Sequence, residues 1–450
     1  MSSLLDPTLA KAYELDKRWL EETAVPIVTV SGTFREDAKD FHDLAANNRT
    51  PDIILSRAHF SMALGAAIEA WGTNNDQGKK VRMDRQKAWM VDPTNYVSPT
   101  QWANVKITEG IGEALARHRI LKILKDIVDN FGRQKIPILN SITPPLLYLT
   151  EHIDKPILCF HIAAGNILLA QGHKVMQVIT DPHVRPEYVM NAGQPGSRYC
   201  VFEERTKLEF LEMAAIHHIK VHPDQIIVTG PPVDPRVVAA RKNKVAWRNG
   251  TLKLCITTGG LGTNKYEIRQ ILHQMLPELH RSPKPYQILV YAGTQKDIAD
   301  MVIGLAKDEH LQIDKLENQK AVLRLIYHPQ ILNANEMLIK YGFPWADGFI
   351  SKPSGDMAYD AVAAGCFLLT LQEWGVWEER IREIFEQKEI SRRADTEHIL
   401  EQLGVLLNPQ AGSLNMSWVE KAMNHAFGIE KLFLQGDQKI LRAFEEFSKI

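Results

Sequence analysis

The second half of this chain alternates between short apolar runs and segments of helical spacing, and that alternation leaves few folds open. The runs lie at 252–257, 287–292, 322–327, 347–351 and 367–371, with helical spacing at 266–279, 295–306, 333–340, 356–364 and 378–387. Apolar runs without inside–outside alternation mark strands covered on both faces. Strand–helix repetition makes such strands parallel, with helices on both sides of the sheet. The first half alternates less evenly. Strands are expected at 27–30, 53–56, 88–91, 137–140, 157–161, 175–180 and 225–230, and helices at 61–71, 107–130, 163–171 and around 206–213.

At 450 residues the chain is too long for one hydrophobic core. Pro231, Pro232 and Pro235 remove backbone donors and stiffen the chain, which marks a boundary. The expected division is a first α/β domain over 1–235, a second over 250–415, and two amphipathic helices over 416–450 that cross back toward the first domain.

Composition narrows the function classes. With 53 basic and 54 acidic residues there is no polyelectrolyte signal for nucleic acid. No apolar run reaches the roughly 18–20 residues that cross a bilayer, and the N-terminus lacks a hydrophobic signal core, so a cytoplasmic protein is expected. Cys159, Cys200, Cys255 and Cys366 sit inside apolar runs and form no CxxC, which reads as buried free thiols in a reducing compartment. The segment 236–248 carries Arg236, Arg241, Lys242, Lys244 and Arg248 with no acid. It is either a solvated linker or short helix, or a basic patch that meets anionic lipid head groups.

Two glycine turns carry the candidate chemistry. Gly259-Gly260-Leu261-Gly262-Thr263 follows one strand and precedes a helix, where glycines let the backbone approach a phosphate. Such turns also occur as plain connectors. Near residue 350 the pattern repeats: a strand, then Lys352-Pro353-Ser354-Gly355-Asp356, then a helix bearing Asp360. Turn amides before a helix suit a diphosphate, and a carboxylate farther along the helix can reach a ribose hydroxyl pair. After the next strand an aromatic-acidic loop ends in Trp377-Glu378. Together these are the parts of a nucleotide-sugar pocket. For each residue a plainer role stays open: Asp360 as a solvated helix acid, Lys352 as a surface lysine, Glu378 as a first-turn acid.

The strings Val178-Ile179-Thr180-Asp181-Pro182-His183, Tyr199-Cys200-Val201-Phe202 and Val228-Thr229-Gly230-Pro231-Pro232-Val233-Asp234-Pro235-Arg236, with the block 351–378, resemble two related families. These are the monogalactosyldiacylglycerol synthases and the peptidoglycan lipid-intermediate N-acetylglucosaminyltransferases, the MurG-like group. The likeness spans about residues 135–390. It departs from the family where Asp360 replaces a Glu, Asp356 a second glycine and Trp377 a Gln. It also lacks the N-terminal Gly-Gly-His string, whose nearest candidates are Val30-Ser31-Gly32-Thr33 and Ser56-Arg57-Ala58-His59.

The resemblance implies a GT-B fold, with two Rossmann-like doubly wound parallel-sheet domains facing a cleft. It also implies a metal-independent glycosyltransferase without cofactor, moving a hexose from a UDP-sugar to a lipid or lipid-linked acceptor with inversion, at the inner face of a membrane. Donor contacts fall on Gly259, Gly260, Gly262, Thr263, Lys352, Ser354, Gly355, Asp356, Asp360, Trp377 and Glu378, with His328 beside the nucleobase. His59, His183 and Asp181 are the candidate catalytic groups. Asp181 either fixes its loop or transfers a proton. Two alternatives remain: a GT-B enzyme on a soluble substrate, epimerase-like or a small-molecule glycosyltransferase, and a non-catalytic nucleotide-sugar-binding protein.

Overall fold

The computed structural model describes residues 5–46, 52–72, 83–98, 100–103, 105–107, 137–409 and 415–450. Its contacts divide the chain into two units, Met1–Pro235 with Lys431–Ile450, and Arg236–Glu430. The segment 416–450 is therefore shared: helix Trp418–Phe427 belongs to the second unit, helix Gly436–Phe447 to the first.

The first unit holds a six-stranded sheet of β1 (Val25–Val28), β2 (Ala88–Val91), β3 (Ile157–Cys159), β4 (Val175–Val178), β5 (Ser197–Val201) and β6 (Ile226–Val228). Their order is β2-β1-β3-β4-β5-β6 and every pairing is parallel. Successive strands run outward from β1 in both directions, so the order reverses between β1 and β3. β1, β3 and β4 are buried along their whole length, as strands with helices on both faces must be.

Two expected strands in this unit are absent. Residues 137–140 open the helix Pro137–Thr150 instead, a 14-residue element with Pro144 and Pro145 inside it. The apolar run there was too short to separate strand from buried helix by periodicity. Around 53–56 the ladder consists of one isolated antiparallel bridge, Gly32 to Ile54. The expected helix 107–130 lies, beyond Ile107, outside the described residues.

The second unit repeats the plan with β7 (Leu252–Thr257), β8 (Tyr286–Gly293), β9 (Leu323–Tyr327), β10 (Gly348–Ser351), β11 (Phe367–Thr370) and β12 (Ser391–Arg393). All pairings are parallel in the order β12-β11-β10-β7-β8-β9. The reversal falls between β7 and β10, with Leu254 opposite Gly348 and Ile256 opposite Ile350. One core joins Leu254, Ile256, Ile288, Val290, Ile350 and Leu369 to helices on the sheet. Gly348 is fixed by packing, because a Cβ there would lie 2.2 Å from the Phe367 ring. Gly365 ends the helix Met357–Ala363 with φ +80°, a left-handed conformation that glycine adopts freely.

The basic segment 236–248 lies against the second unit. Arg236 makes a bidentate pair with Glu336 at 2.7 and 2.8 Å, Arg241 donates to the carbonyls of Ala426 and Phe427, and Lys244 reaches the Phe343 carbonyl at 3.0 Å. Arg248 pairs with Glu420 at 3.2 Å. Arg236, Arg241 and Lys244 thus secure the start of the unit, while Lys242 and Arg248 remain exposed. All four cysteines are free and buried. No helix among the described residues is long and apolar enough to cross a membrane.

Candidate functional site

In open parallel sheets, ligands bind beyond the carboxyl ends of the strands at the point where strand order reverses. In the second unit that point lies between β7 and β10, and both glycine turns leave from it. The strand ends are tied by a 2.6 Å hydrogen bond from Thr257 Oγ1 to Ser351 Oγ. The Lys352 side chain then runs directly past Gly259: a Cβ at Gly259 would meet Lys352 Cε at 2.7 Å and Thr263 Oγ1 at 2.7 Å. Glycine at 259 is thus what lets the lysine stem through.

The first turn closes by Gly262 N–H donating to the Gly259 carbonyl at 2.9 Å, with Gly262 at φ +68°. Gln295 Nε2 holds the Gly260 carbonyl at 2.7 Å, and Thr258 Oγ1 holds that of Thr263 at 2.9 Å. Helix Lys265–Glu278 begins there, and Asn264 at its start gives it no side-chain cap. The second turn leads into a helix of seven residues, Met357–Ala363, whose Met357 N–H donates to Ser354 Oγ at 3.3 Å. So short a helix adds little macrodipole. Positive charge at this turn comes from Lys352.

Within the second turn the lysine and the acid take different partners. Lys352 Nζ lies 2.6 Å from Glu378 Oε1, while Asp356 Oδ1 accepts from Ser354 Oγ at 2.8 Å. The second Glu378 oxygen accepts from Trp374 N–H at 2.7 Å. Lys352 Nζ also sits 5.8 Å from the centre of the Trp374 ring. Trp374 and Trp377 pack edge to face at 5.9 Å, and their loop is anchored by Glu373, which binds Arg382 and Arg393. Those guanidinium groups hold the Glu373 carboxyl below its usual range against the effect of burial. Asp360 is buried one turn into its helix. His328 lies at the end of edge strand β9, where its Nδ1 accepts from Gln330 N–H at 3.1 Å. Gly355 lies between Ser354 and Asp356 in the turn.

A second cluster gathers at the carboxyl ends of β1, β3 and β4. Helix Arg57–Trp71 starts four residues earlier than expected, since Ser56 Oγ caps His59 N–H. His59, expected between the strand 53–56 and the helix 61–71, is therefore in the first helical turn. Its Nε2 lies 3.2 Å from Thr180 Oγ1, and its ring meets that of His161 edge to face at 4.8 Å. Burial, then the Arg185 charge, push the His59 imidazole down to about 4. Burial, with His59 beside it, holds His161 well below the ordinary histidine value. Asp181 pairs with Arg185 at 3.6 Å, and Arg185 donates to the Tyr188 hydroxyl at 3.1 Å. His183 turns to Glu209 at 3.1 Å, and that hydrogen bond raises its pKa. The Ser31-Gly32 turn is held by Asp92, whose Oδ2 accepts from Ser31 N–H at 2.7 Å, Ser31 Oγ at 2.8 Å and Gly32 N–H at 3.2 Å. Sequence reading passed over His161 and Trp374. His161 carries the same signal as His59, a histidine where an apolar run meets a helix.

No protein-family model and no curated protein matches the chain. Among solved structures, a UDP-GlcNAc 2-epimerase from Neisseria meningitidis bound to UDP-GlcNAc aligns over 93% of this chain and 99% of its own, with a TM-score of 0.50 and 12% identity. An α,α-trehalose-phosphate synthase (UDP-forming) from Burkholderia vietnamiensis aligns over 94% and 97%, with the same TM-score of 0.50 and 12% identity. The fold is GT-B. MurG from Acinetobacter baumannii aligns over 94% and 99% at 11% identity, with a TM-score of 0.46. At these identities the likeness is one of fold. The GT-B assignment agrees with the two six-stranded parallel sheets and their reversal points.

Proposed function

We propose that this GT-B protein is a glycosyltransferase whose second unit binds a UDP-sugar across the 259–263 and 352–356 turns. One observation carries the proposal: at the β7/β10 reversal point the two glycine turns adjoin, and the ammonium stem of Lys352 passes through the space left open at Gly259. Lys352 meets the diphosphate, with the amides of Gly259, Gly260, Thr263 and Gly355 around it, while Gly262 N–H and Ser354 N–H are spent on the Gly259 and Lys352 carbonyls that shape the two turns. Asp360 takes the ribose hydroxyls, His328 lies beside the base and Trp377 beside the sugar. Asp356 is held by Ser354, whose hydroxyl donates to its Oδ1 at 2.8 Å.

The departing UDP gains charge as the glycosidic bond breaks. Prepositioned donors that strengthen their hold at that moment lower the barrier. On the first unit we assign His59 as the group that takes the acceptor hydroxyl proton. Burial keeps its imidazole neutral at pH 7, as a general base must be, and also makes it a weaker base than an ordinary histidine. Asp181 and His183 shape the loop beside it.

We further propose a lipid or lipid-linked acceptor, inversion at the anomeric carbon and a cytoplasmic location with contact at the inner membrane face. These rest on the resemblance of the 178–236 strings. Of the 236–248 cations, Arg236, Arg241 and Lys244 are engaged within the second unit, which leaves Lys242 and Arg248 exposed.

The test is calorimetric titration with UDP, GDP and dTDP, followed by UDP release from UDP-sugars with lipid-linked and soluble acceptors. Selective UDP binding and acceptor-dependent release support the proposal. Conversion of the UDP-sugar with no acceptor present would replace transfer by epimerisation, and no nucleotide binding would end it.

A further inference from the structure

We propose that Glu378 is a positioning residue for Lys352 rather than a ligand of the donor's sugar. The inference rests on the reading that Lys352 meets the diphosphate. Both Glu378 oxygens are already used: Oε1 faces Lys352 Nζ at 2.6 Å and Oε2 accepts from Trp374 N–H at 2.7 Å. The side chains of Lys352 and Glu378 are 12% and 2% exposed. With each oxygen engaged and the side chain 2% exposed, the carboxylate is closed off from a sugar hydroxyl.

The geometry also shows what the acid does. A lysine side chain has four rotatable bonds and loses much rotamer freedom when ordered. Here its path is set at two points. Missing Cβ bulk at Gly259 admits the stem, and Glu378 holds the ammonium. The ammonium has three donors. One goes to Glu378, and the others have no acceptor among the described residues, which leaves them for phosphate oxygens. Glu378 is itself fixed from the far side by the Trp374 amide, on a loop anchored through Glu373 by Arg382 and Arg393. The chain of contacts runs from β12 to the ammonium and stops there.

A positioning role and a sugar-binding role differ in which ligand notices the loss of Glu378. The test titrates the full chain with uridine, UDP and UDP-N-acetylglucosamine. Glu378→Gln keeps an oxygen for the Trp374 amide and removes the charge. UDP and the UDP-sugar should both weaken about tenfold, the factor lost when one rotamer-rich side chain must be ordered on binding. Uridine, which has no phosphate, should bind as it does to the wild type. Lys352→Met should weaken UDP at least as much, and adding Glu378→Gln to it should cost nothing further.

Unchanged or tighter UDP binding by Glu378→Gln overturns the proposal, as does a loss confined to the UDP-sugar. A parallel loss of uridine binding makes the role structural and also overturns it. If Glu378→Gln does not fold, Glu378→Asp, one methylene shorter, is read in the same way. Failure of the wild type to bind UDP sinks the donor assignment itself, a result distinct from any of these.

Discussion

Replacing Gly259 with alanine tests the reversal-point geometry more sharply than removing any charged group. The added Cβ would lie 2.7 Å from Lys352 Cε and 2.7 Å from Thr263 Oγ1. Non-bonded carbons settle at about 3.5–4.0 Å, so one neighbour must retreat by about 1 Å. Thr263 is buried and its carbonyl is tied to Thr258. The lysine stem, a flexible side chain, is what gives. Overpacking then costs folding only about 1 kcal/mol. The ammonium is displaced by a similar distance, and a charge-assisted hydrogen bond worth about 1.5–3 kcal/mol is strained or lost. UDP affinity should fall by roughly tenfold to a hundredfold, with uridine affinity unchanged.

Gly348→Ala is the control on the same sheet. There the Cβ meets the buried Phe367 ring at 2.2 Å, and an aromatic ring in a packed core cannot step aside. Stability should drop by about 1–3 kcal/mol or more, without a phosphate-specific effect on binding. Calorimetry with UDP and uridine, beside urea unfolding of each variant, separates the two outcomes. Wild-type UDP affinity in Gly259→Ala would refute the placement of Lys352 at the diphosphate.

Three further outcomes follow. The His59 imidazole, lowered from 6.5 to about 4 by burial and then by Arg185, should make stability fall as pH drops from about 6.5 toward 4, because the unfolded chain takes up the proton first. The full loss is on the order of 3 kcal/mol, and His59→Gln should flatten that part of the pH–stability curve in denaturant titrations. Asp360→Asn should weaken UDP by about tenfold or more while leaving a 2′,3′-dideoxy analogue unaffected; equal losses for both would exclude a ribose contact. Arg241→Met with Lys244→Met should lower the unfolding midpoint, since both cations cap carbonyls of the second unit. Co-sedimentation with anionic vesicles should not change, and a clear drop would restore the basic segment as a membrane patch.

Much of the second unit could be read from its residues because the strands β7 to β11 are self-contained signals. Runs such as Leu252–Thr257 and Phe367–Thr370 are mostly apolar, with Lys253 the one charged residue, and are bounded by turn residues, so parallel burial was the only economical outcome. The first unit was less legible where runs were short. Residues 137–140 open a helix, Pro137–Thr150, that packs on helix Pro7–Glu22, far away in sequence. β12 has three residues, two of them exposed, and offers no periodicity to find.

The candidate site divides in the same way. Glycine turns, a lysine and a helix acid are local chemistry, and their spacing announced them. Partnership is not local. Lys352 chose Glu378, 26 residues on, over Asp356 four residues away, because β11 and the loop after it bring that acid beside the β10 end. His59 met Thr180 and His161 only because three strand ends share one edge of a sheet. Sequence determined which groups were available and which elements would carry them. Only the strand order, set by long-range packing, decided which of those groups touch.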